Sequence, residues 1–186
     1  MPRKTYSSWY SWSDLSVLET VLRAYHGSDP LVVEVATGPN IAVPHVLKKS
    51  ASSFRYVSLD LEKTCIQLQR NGVGNMNVEA VVGDAVNLPF RHKCVDIFIF
   101  HHAIDDILET RGLEGLRASI ENALRTLKIG GTIIFSHSVF DYDQYTLKID
   151  LFKVQALLRN RVEGYFKKID GPRQKWLIVE DVHIPV

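Results

Sequence analysis

Short, continuously apolar runs alternate with longer amphipathic stretches along this chain of 186 residues. The apolar runs are rich in β-branched residues and are bounded by turn residues such as Gly and Pro, which is typical of strands buried on both faces of a sheet. The amphipathic stretches carry apolar residues three and four positions apart, which is typical of helices that pack on such a sheet. The alternation therefore predicts an α/β fold with helices on both faces of a mostly parallel sheet.

The runs predict seven strands and five helices. The strands are expected at residues 31–35, 56–59, 78–82, 95–100, 132–136, 165–169 and 176–183. The helices are expected at about residues 14–26, 41–51, 62–71, 112–127 and 143–160. Gly171-Pro172 separates the last two strands and indicates a hairpin. The predicted fold is a Rossmann-like, doubly wound, seven-stranded, mostly parallel sheet with a C-terminal antiparallel hairpin.

Length and composition limit the class of protein. Residues 1–186 fit a single domain, of which residues 1–28 are expected to form an aromatic flap and the first helix. The N-terminus lacks the apolar stretch of a signal peptide, and no apolar run approaches the ~20 residues of a membrane span. Cys65 and Cys94 lie in no zinc-ligand spacing. We expect a cytoplasmic protein that has no membrane segment and no metal site.

Positive charge is concentrated near the C-terminus, although the net charge of the chain is only +1. Residues 144–175 contain eight Lys or Arg and three Asp or Glu, so the rest of the chain is net negative. Charge runs are most often solvated faces of helices and hairpins. A docking surface for an anionic substrate such as RNA is the alternative that this pattern leaves open.

Small and acidic residues follow the first three predicted strands, whose C-terminal ends meet at one edge of the sheet, where ligands bind in such folds. Ala36 and Gly38 follow the first strand and let the backbone approach a ligand closely. Asp60 ends the second strand, 22 residues after Gly38, and suits either ribose hydroxyls or the cap of the next helix. Asp84 and Ala85 follow the third strand, in a position either to accept from an exocyclic amine or to form an ordinary turn.

On these residues the chain resembles the class I S-adenosylmethionine-dependent methyltransferases, particularly the small-molecule branch of the ubiquinone/menaquinone-biosynthesis type. The resemblance covers residues 31–140 and rests on the segments VVEVATGPN, YVSLDL, VVGDAVNLPF, VDIFIFHHAIDDI and ALRTLKIGGTIIF. The glycine-rich pattern of the family is acidic-x-Gly-x-Gly-x-Gly. Glu34 and Gly38 match it, whereas Ala36 and Asn40 stand at the outer glycine positions.

The resemblance implies S-adenosylmethionine as the cofactor and assigns its site. Glu34 and the backbone around Gly38 would hold the methionine end of the cofactor. Asp60 would bind the ribose, with Leu61 against the adenine and Asp84 at the adenine edge. The complete set of implied cofactor-binding residues is Glu34, Ala36, Gly38, Asn40, Asp60, Leu61, Asp84, Ala85 and His101, the last of which would lie near the sulfonium.

The same segments disfavour two related enzyme classes. A nicotinamide dehydrogenase needs Gly-x-Gly-x-x-Gly, and when this pattern starts at Ala36 its third glycine falls on Ile41. Amino-methyltransferases of DNA carry Asp/Asn-Pro-Pro-Tyr/Phe after the fourth strand, where this chain has Phe100-His-His-Ala. Neither a nicotinamide cofactor nor a DNA acceptor is therefore expected.

His101, His102 and Asp105 follow the fourth predicted strand and are the candidate catalytic residues. A neutral N–H or O–H acceptor needs a group that takes its proton during methyl transfer. Histidine titrates near neutral pH, and a neighbouring aspartate can orient it. The alternative is that these residues only cap and shape the loop, and their spacing matches no metal-binding pattern.

We therefore predict an S-adenosylmethionine-dependent methyltransferase with a small-molecule acceptor. One alternative is an RNA methyltransferase that uses the basic C-terminal region. A second is a non-catalytic, methyltransferase-like partner subunit, because the glycine pattern is altered. The aromatic residues between 6 and 12 fit a flap over the cofactor, a base-stacking surface or a hydrophobic strap on the sheet. The sequence does not indicate an oligomeric state.

Overall fold

The computed structural model describes residues 15–26, 28–39, 42–50, 53–72, 78–138, 151–170 and 174–185. The strands in these ranges are β1 (Leu31–Val35), β2 (Arg55–Asp60), β3 (Val78–Val82), β4 (Val95–His101), β5 (Leu127–Ser138), β6 (Glu163–Asp170) and β7 (Gln174–His183). The helices are α1 (Ser16–Ala24), α2 (Ala42–Ser50), α3 (Lys63–Gly72), α4 (Ala103–Thr126) and α5 (Leu151–Arg159). None of these helices combines the length and the apolar character that crossing a membrane requires.

The strands form one sheet in the order β3-β2-β1-β4-β5-β7-β6. The pairs from β3 to β5 are parallel, and β7 runs antiparallel to both β5 and β6. This arrangement confirms the predicted fold class. The strand order reverses between β1 and β4, and the crevice above such a reversal is where ligands bind in doubly wound sheets.

Alternating side chains of the central strands supply two hydrophobic layers, because successive residues of a strand point to opposite faces. On one face, Phe98, Phe100 and Phe135 pack with apolar residues of α4 and α5. On the other face, Ile97 and Ile99 pack with apolar residues of α1 and α2. Every residue of β4 is buried, including the charged Asp96, which explains the mostly apolar run that predicted this strand.

The predicted start of the fourth helix, near residue 112, was wrong. Helix α4 begins at Ala103 and is interrupted at Gly112, whose backbone angles (φ 67°, ψ −171°) are not helical. The residues before the break bury Ile104, Ile107 and Leu108, spaced as in one helical face. The glycine that suggested a helix boundary therefore marks a break between two helical segments.

Strand β5 also begins earlier than predicted, at Leu127, so Gly130 and Gly131 lie inside a strand and not at a helix end. Gly130 has a positive φ of 77°, and the pairing register shifts beside Gly131 in the ladder with β7. A Cβ on Gly131 would lie 3.0 Å from the backbone oxygen of Asp96. The predicted helix at 143–160 is described only over Leu151–Arg159, and the aromatic residues 6–12 lie outside the described residues.

A buried carboxylate connects the sheet to the end of α1 at the N-terminal ends of the central strands. Asp96 accepts hydrogen bonds from the Tyr25 hydroxyl (3.0 Å) and the Leu31 backbone N–H (2.9 Å). The Lys128 ammonium lies 2.8 Å from both carboxylate oxygens. These contacts fix the N-terminal ends of β1, β4 and β5 relative to one another.

Candidate functional site

The loops after β1 and β2 are joined through the carboxylate of Asp60. One oxygen of this carboxylate, Oδ2, accepts from the backbone N–H of Gly38 at 2.7 Å, and the other accepts from the N–H of Glu62 at 2.8 Å. Only 7% of Asp60 is exposed. Asp60 therefore shapes the turn into α3, and each oxygen keeps a further lone pair with which to accept from a ligand hydroxyl.

Two residues of the loop after β1 have left-handed backbone conformations. Gly38 has φ 57°, and no atom of the residues that the structure describes lies within 4 Å of the position that a Cβ would take there. Ala36 has φ 52°, a conformation that favours glycine because a side chain is strained in it. Positions 36 and 38, which are glycine in the family's glycine-rich pattern, thus both have the backbone conformation that glycine favours. The third, Asn40, lies outside the described residues.

Glu34, near the end of β1, is 1% exposed and accepts a hydrogen bond from the Tyr56 hydroxyl on β2. Burial is the main reason that the pKa of Glu34 is raised to about 8. The Tyr56 hydrogen bond lowers this pKa, and the charge of Asp60 raises it. Sequence reasoning missed Tyr56, although strand periodicity places residues 56, 58 and 60 on the same face as residue 34.

Asp84, after β3, pairs with an arginine that the sequence did not suggest. Its Oδ2 lies 2.6 Å from the Arg111 guanidinium, and its Oδ1 accepts from the Val86 N–H at 3.1 Å. Arg111 comes from the first segment of α4, so this pair joins that segment to the tip of β3. Ala85 is half-buried in the same turn, and Leu61, beyond the tip of β2, exposes 51% of its surface.

His101 ends β4 in a buried, aromatic environment. Its Nδ1 lies 2.8 Å from the Ser136 hydroxyl, and its ring stacks on Trp176 with centroids 5.9 Å apart. Burial, and then the charge of His102, hold the pKa of His101 well below its usual range. His101 is therefore neutral near pH 7. Ser136 and Trp176 come from β5 and β7, and the linear sequence gave no reason to place them beside β4.

The first turns of α4 bring further carboxylates to this edge. His102 has φ 58°, and its N–H donates to the Ser136 backbone oxygen at 3.2 Å. Asp105 is half-buried one turn later. Partial burial, and then the charges of Asp105, Asp60 and Glu109, raise the pKa of Asp106 to about 6. These couplings place the start of α4 close to the tip of β2.

The tips of β1 to β4 thus bring the described candidate residues to one edge of the sheet. These are Glu34, Ala36, Gly38, Asp60, Leu61, Asp84, Ala85, His101, His102 and Asp105. The edge offers oxygen acceptors for hydroxyl and amine donors, an exposed apolar side chain, and open space above Gly38. Within the described ranges, no three His, Cys, Asp or Glu residues are arranged to hold a metal ion.

The protein family described as "Methyltransferase domain" matches residues 33–135. This range covers more than half of the chain, runs from β1 into β5, and contains all nine of the predicted cofactor residues. No curated protein of similar sequence was found.

Solved structures share the fold at low sequence identity. An S-adenosylmethionine-dependent methyltransferase from Aquifex aeolicus has a TM-score of 0.71 at 15% identity, covering 93% of this chain and 100% of that chain. The N-methyltransferase NodS from Bradyrhizobium japonicum has a TM-score of 0.69 at 11% identity, covering 91% and 95%. A Haloferax volcanii protein in complex with the Trm112 methyltransferase activator has a TM-score of 0.70 at 16% identity, covering 94% of each chain.

Proposed function

This chain belongs to the methyltransferase domain family and is an S-adenosylmethionine-dependent methyltransferase, and from that premise we propose that its acceptor is a small molecule. The observation that carries the proposal is the surplus of carboxylates around the cleft. The charges of Asp105, Asp60 and Glu109 all raise the pKa of Asp106, so several carboxylates gather where the tip of β2 meets the start of α4. Such an edge repels a polyanion close to the reacting methyl group. We assign the chain to the ubiquinone/menaquinone-biosynthesis type on the sequence motifs alone.

The residues at the edge suit an adenosine with an amino-acid extension. Asp60 is held rigidly by two backbone N–H groups and retains lone pairs for the two ribose hydroxyls. The exposed side chain of Leu61 can pack against a flat apolar ring. The Asp84 carboxylate, which also binds Arg111, can accept a hydrogen bond from the amine of that ring. The open space beside Gly38 can accommodate the methionine end of S-adenosylmethionine.

When bound, S-adenosylmethionine supplies an electrophilic methyl group, so the protein mainly has to align the acceptor and exclude water. We propose that His101 forms a neutral wall of the acceptor site, because its burial opposes protonation. His102 and Asp105 are less buried than His101 and are better placed to take a proton from an N–H or O–H acceptor. On this account, His102→Ala and Asp105→Ala lower the rate more than they raise KM.

An RNA acceptor is the second candidate, and exposed lysines on β6 favour it. Lys167 and Lys168 lie on an edge strand, three strands from β4. Neighbouring strands are about 4.8 Å apart, so this surface lies about 14 Å from the end of β4. RNA would have to bind β6 and reach across β7 and β5. Binding of tRNA that weakens with salt and is lost in Lys167→Gln/Lys168→Gln would favour this candidate.

A methyltransferase that needs a partner subunit for activity is the third candidate. The Haloferax volcanii neighbour is in complex with a methyltransferase activator. On this reading the chain binds the cofactor but transfers no methyl group by itself.

Transfer of radiolabelled methyl from S-adenosylmethionine separates the three candidates. The purified protein is incubated with small-molecule, RNA and protein fractions of a cell extract, and label is counted in each. Label in the small-molecule fraction that is absent with Asp60→Asn supports the proposal. Label in RNA supports the second candidate, and cofactor binding without label in any fraction supports the third.

A further inference from the structure

Tyr56 and Glu34 form a hydrogen-bonded pair beneath the loop that follows β1. Both side chains are buried, with 4% of Tyr56 exposed. Tyr56 pairs with Val32 in the β1–β2 register, whereas Glu34 pairs with Ser58, two positions nearer the ligand edge. The hydrogen bond from the Tyr56 hydroxyl to Oε2 of Glu34 therefore bridges two register positions, about 6.6 Å along the strands.

Glu34 has no cationic partner among the residues that the structure describes. The ionisable groups that act on it are Tyr56 and Asp60, both from β2. The helices that cover this face of the sheet, α1 and α2, contribute aliphatic side chains to the layer around it. A carboxylate buried without a counter-charge is unfavourable, and the usual responses are protonation or the binding of a cation. Glu34 is therefore mostly protonated near pH 7, and a cation bound beside it would favour its ionised form.

We propose that Tyr56 is a positioning residue that holds Glu34 for the ammonium group of the cofactor's amino-acid end. This inference rests on the proposed function, because it needs a ligand that carries both an adenosine and an ammonium. Tyr56 occupies Oε2 and leaves Oε1 for the ligand. Glu34 also pairs with Ile99 of β4, so it stands at the strand reversal where the ligand crevice opens.

The Tyr56 hydroxyl also favours the charged form of Glu34. Burial and the charge of Glu34 raise the pKa of Tyr56 well above its ordinary value, so Tyr56 remains a donor throughout the working pH range. Its hydrogen bond lowers the pKa of Glu34, which burial has raised to about 8. Loss of the hydroxyl leaves Glu34 protonated to higher pH, where it attracts an ammonium less.

Two nucleosides that differ in the amino-acid end test the proposal. S-adenosylhomocysteine carries the ammonium, and 5′-methylthioadenosine has the same adenosine without it. Calorimetric titrations compare the wild type, Tyr56→Phe and Tyr25→Phe between pH 6.5 and 8.5. Tyr25→Phe is the matched control, because Tyr25 also donates to a buried carboxylate, Asp96, but at the opposite edge of the sheet.

We expect Tyr56→Phe to weaken the binding of S-adenosylhomocysteine about tenfold, the scale of one lost hydrogen bond to a charged group. The affinity for 5′-methylthioadenosine should stay within twofold of the wild-type value. The wild-type affinity for S-adenosylhomocysteine rises toward pH 8, and Tyr56→Phe shifts this rise to higher pH. Tyr25→Phe changes neither affinity.

An equal effect of Tyr56→Phe on both nucleosides, or no effect on either, overturns the positioning role. If the wild type binds neither nucleoside, the proposed function itself fails. Glu34→Gln provides a second route if Tyr56→Phe does not fold, because glutamine keeps an acceptor for the Tyr56 hydroxyl and removes the charge. This variant should lose affinity for S-adenosylhomocysteine alone, and an equal loss for both nucleosides contradicts the proposal.

Discussion

Buried ionisable side chains at the ligand edge differ in what they do, and their environments explain the difference. Glu34 and His101 are both buried, yet burial raises the pKa of the acid and lowers that of the base, so both are held neutral. The sequence could locate Glu34, Asp60 and His101, because they follow or end apolar strands. It could not supply Tyr56 or Ser136, because those contacts depend on which strands are neighbours.

The buried Glu34 makes stability depend on pH. Its pKa is raised from 4.5 to about 8, so between these values the folded chain holds a proton that the unfolded chain has released, and stability falls as pH rises. The lowered pKa of His101 makes stability rise with pH, but only below pH 6.5, the ordinary pKa of a histidine. Between pH 6.5 and 8 the wild type should therefore lose about 2 kcal/mol in free energy of unfolding.

Urea unfolding of the wild type and Glu34→Gln across this pH range measures the effect. The variant has no titrating group at position 34, so its free energy of unfolding should stay nearly constant from pH 6.5 to 8. A wild-type curve that is flat or rises over that range would show that Glu34 is ionised in the folded protein.

Elements differ in how far their boundaries follow from the sequence. Strands β1 to β4 were predicted within one residue at each end, because short apolar runs are typical of the middle layer of a fold with helices on both faces of the sheet. Helix α4 was predicted nine residues too late, because Gly112 resembles a helix boundary and the buried spacing of Ile104, Ile107 and Leu108 precedes it. Similarly, a glycine pair that resembles a helix stop lies in β5, where the register shifts.

The break in α4 should require a glycine at position 112. The conformation of Gly112 is one that residues with a Cβ rarely adopt, although no atom in the described part of the chain obstructs a Cβ there. Gly112→Ala should therefore destabilise the protein by about 1–3 kcal/mol through the backbone alone. Urea unfolding tests this, and an unchanged or increased stability would indicate that the two segments of α4 can join into one continuous helix.

The Asp96 cluster should be the main polar anchor at the opposite edge. Asp96→Ala leaves three donors without their acceptor and should cost about 1–3 kcal/mol, the scale of leaving a buried polar group unpaired, because the Lys128 side chain is partly exposed. Glu19→Ala, in the exposed Arg23–Glu19 pair of α1, is the control and should cost no more than about 0.5 kcal/mol. Equal effects in thermal unfolding would contradict this account.

At the scale of the whole molecule, charged groups lie on two different parts of one sheet. The ligand edge carries the carboxylates of β2 and α4, and the outer strand β6 carries exposed lysines together with the exposed Glu163 and Asp170. The alternation of strands and helices sufficed to predict the sheet, since right-handed crossovers leave few other topologies. Which charges meet at an edge could not be predicted, because Arg111 reaches Asp84 from an element whose start the sequence did not reveal.

In the proposed site, the Asp60 carboxylate at the tip of β2 binds the ribose hydroxyls of S-adenosylmethionine. Calorimetric titration of the wild type and Asp60→Asn with S-adenosylhomocysteine tests it most directly. We expect saturable binding by the wild type and an affinity at least about tenfold weaker for Asp60→Asn, because the variant loses the negative charge of the group that accepts from the ribose hydroxyls. Absence of wild-type binding at millimolar nucleoside, or equal affinity of a folded Asp60→Asn, would contradict it.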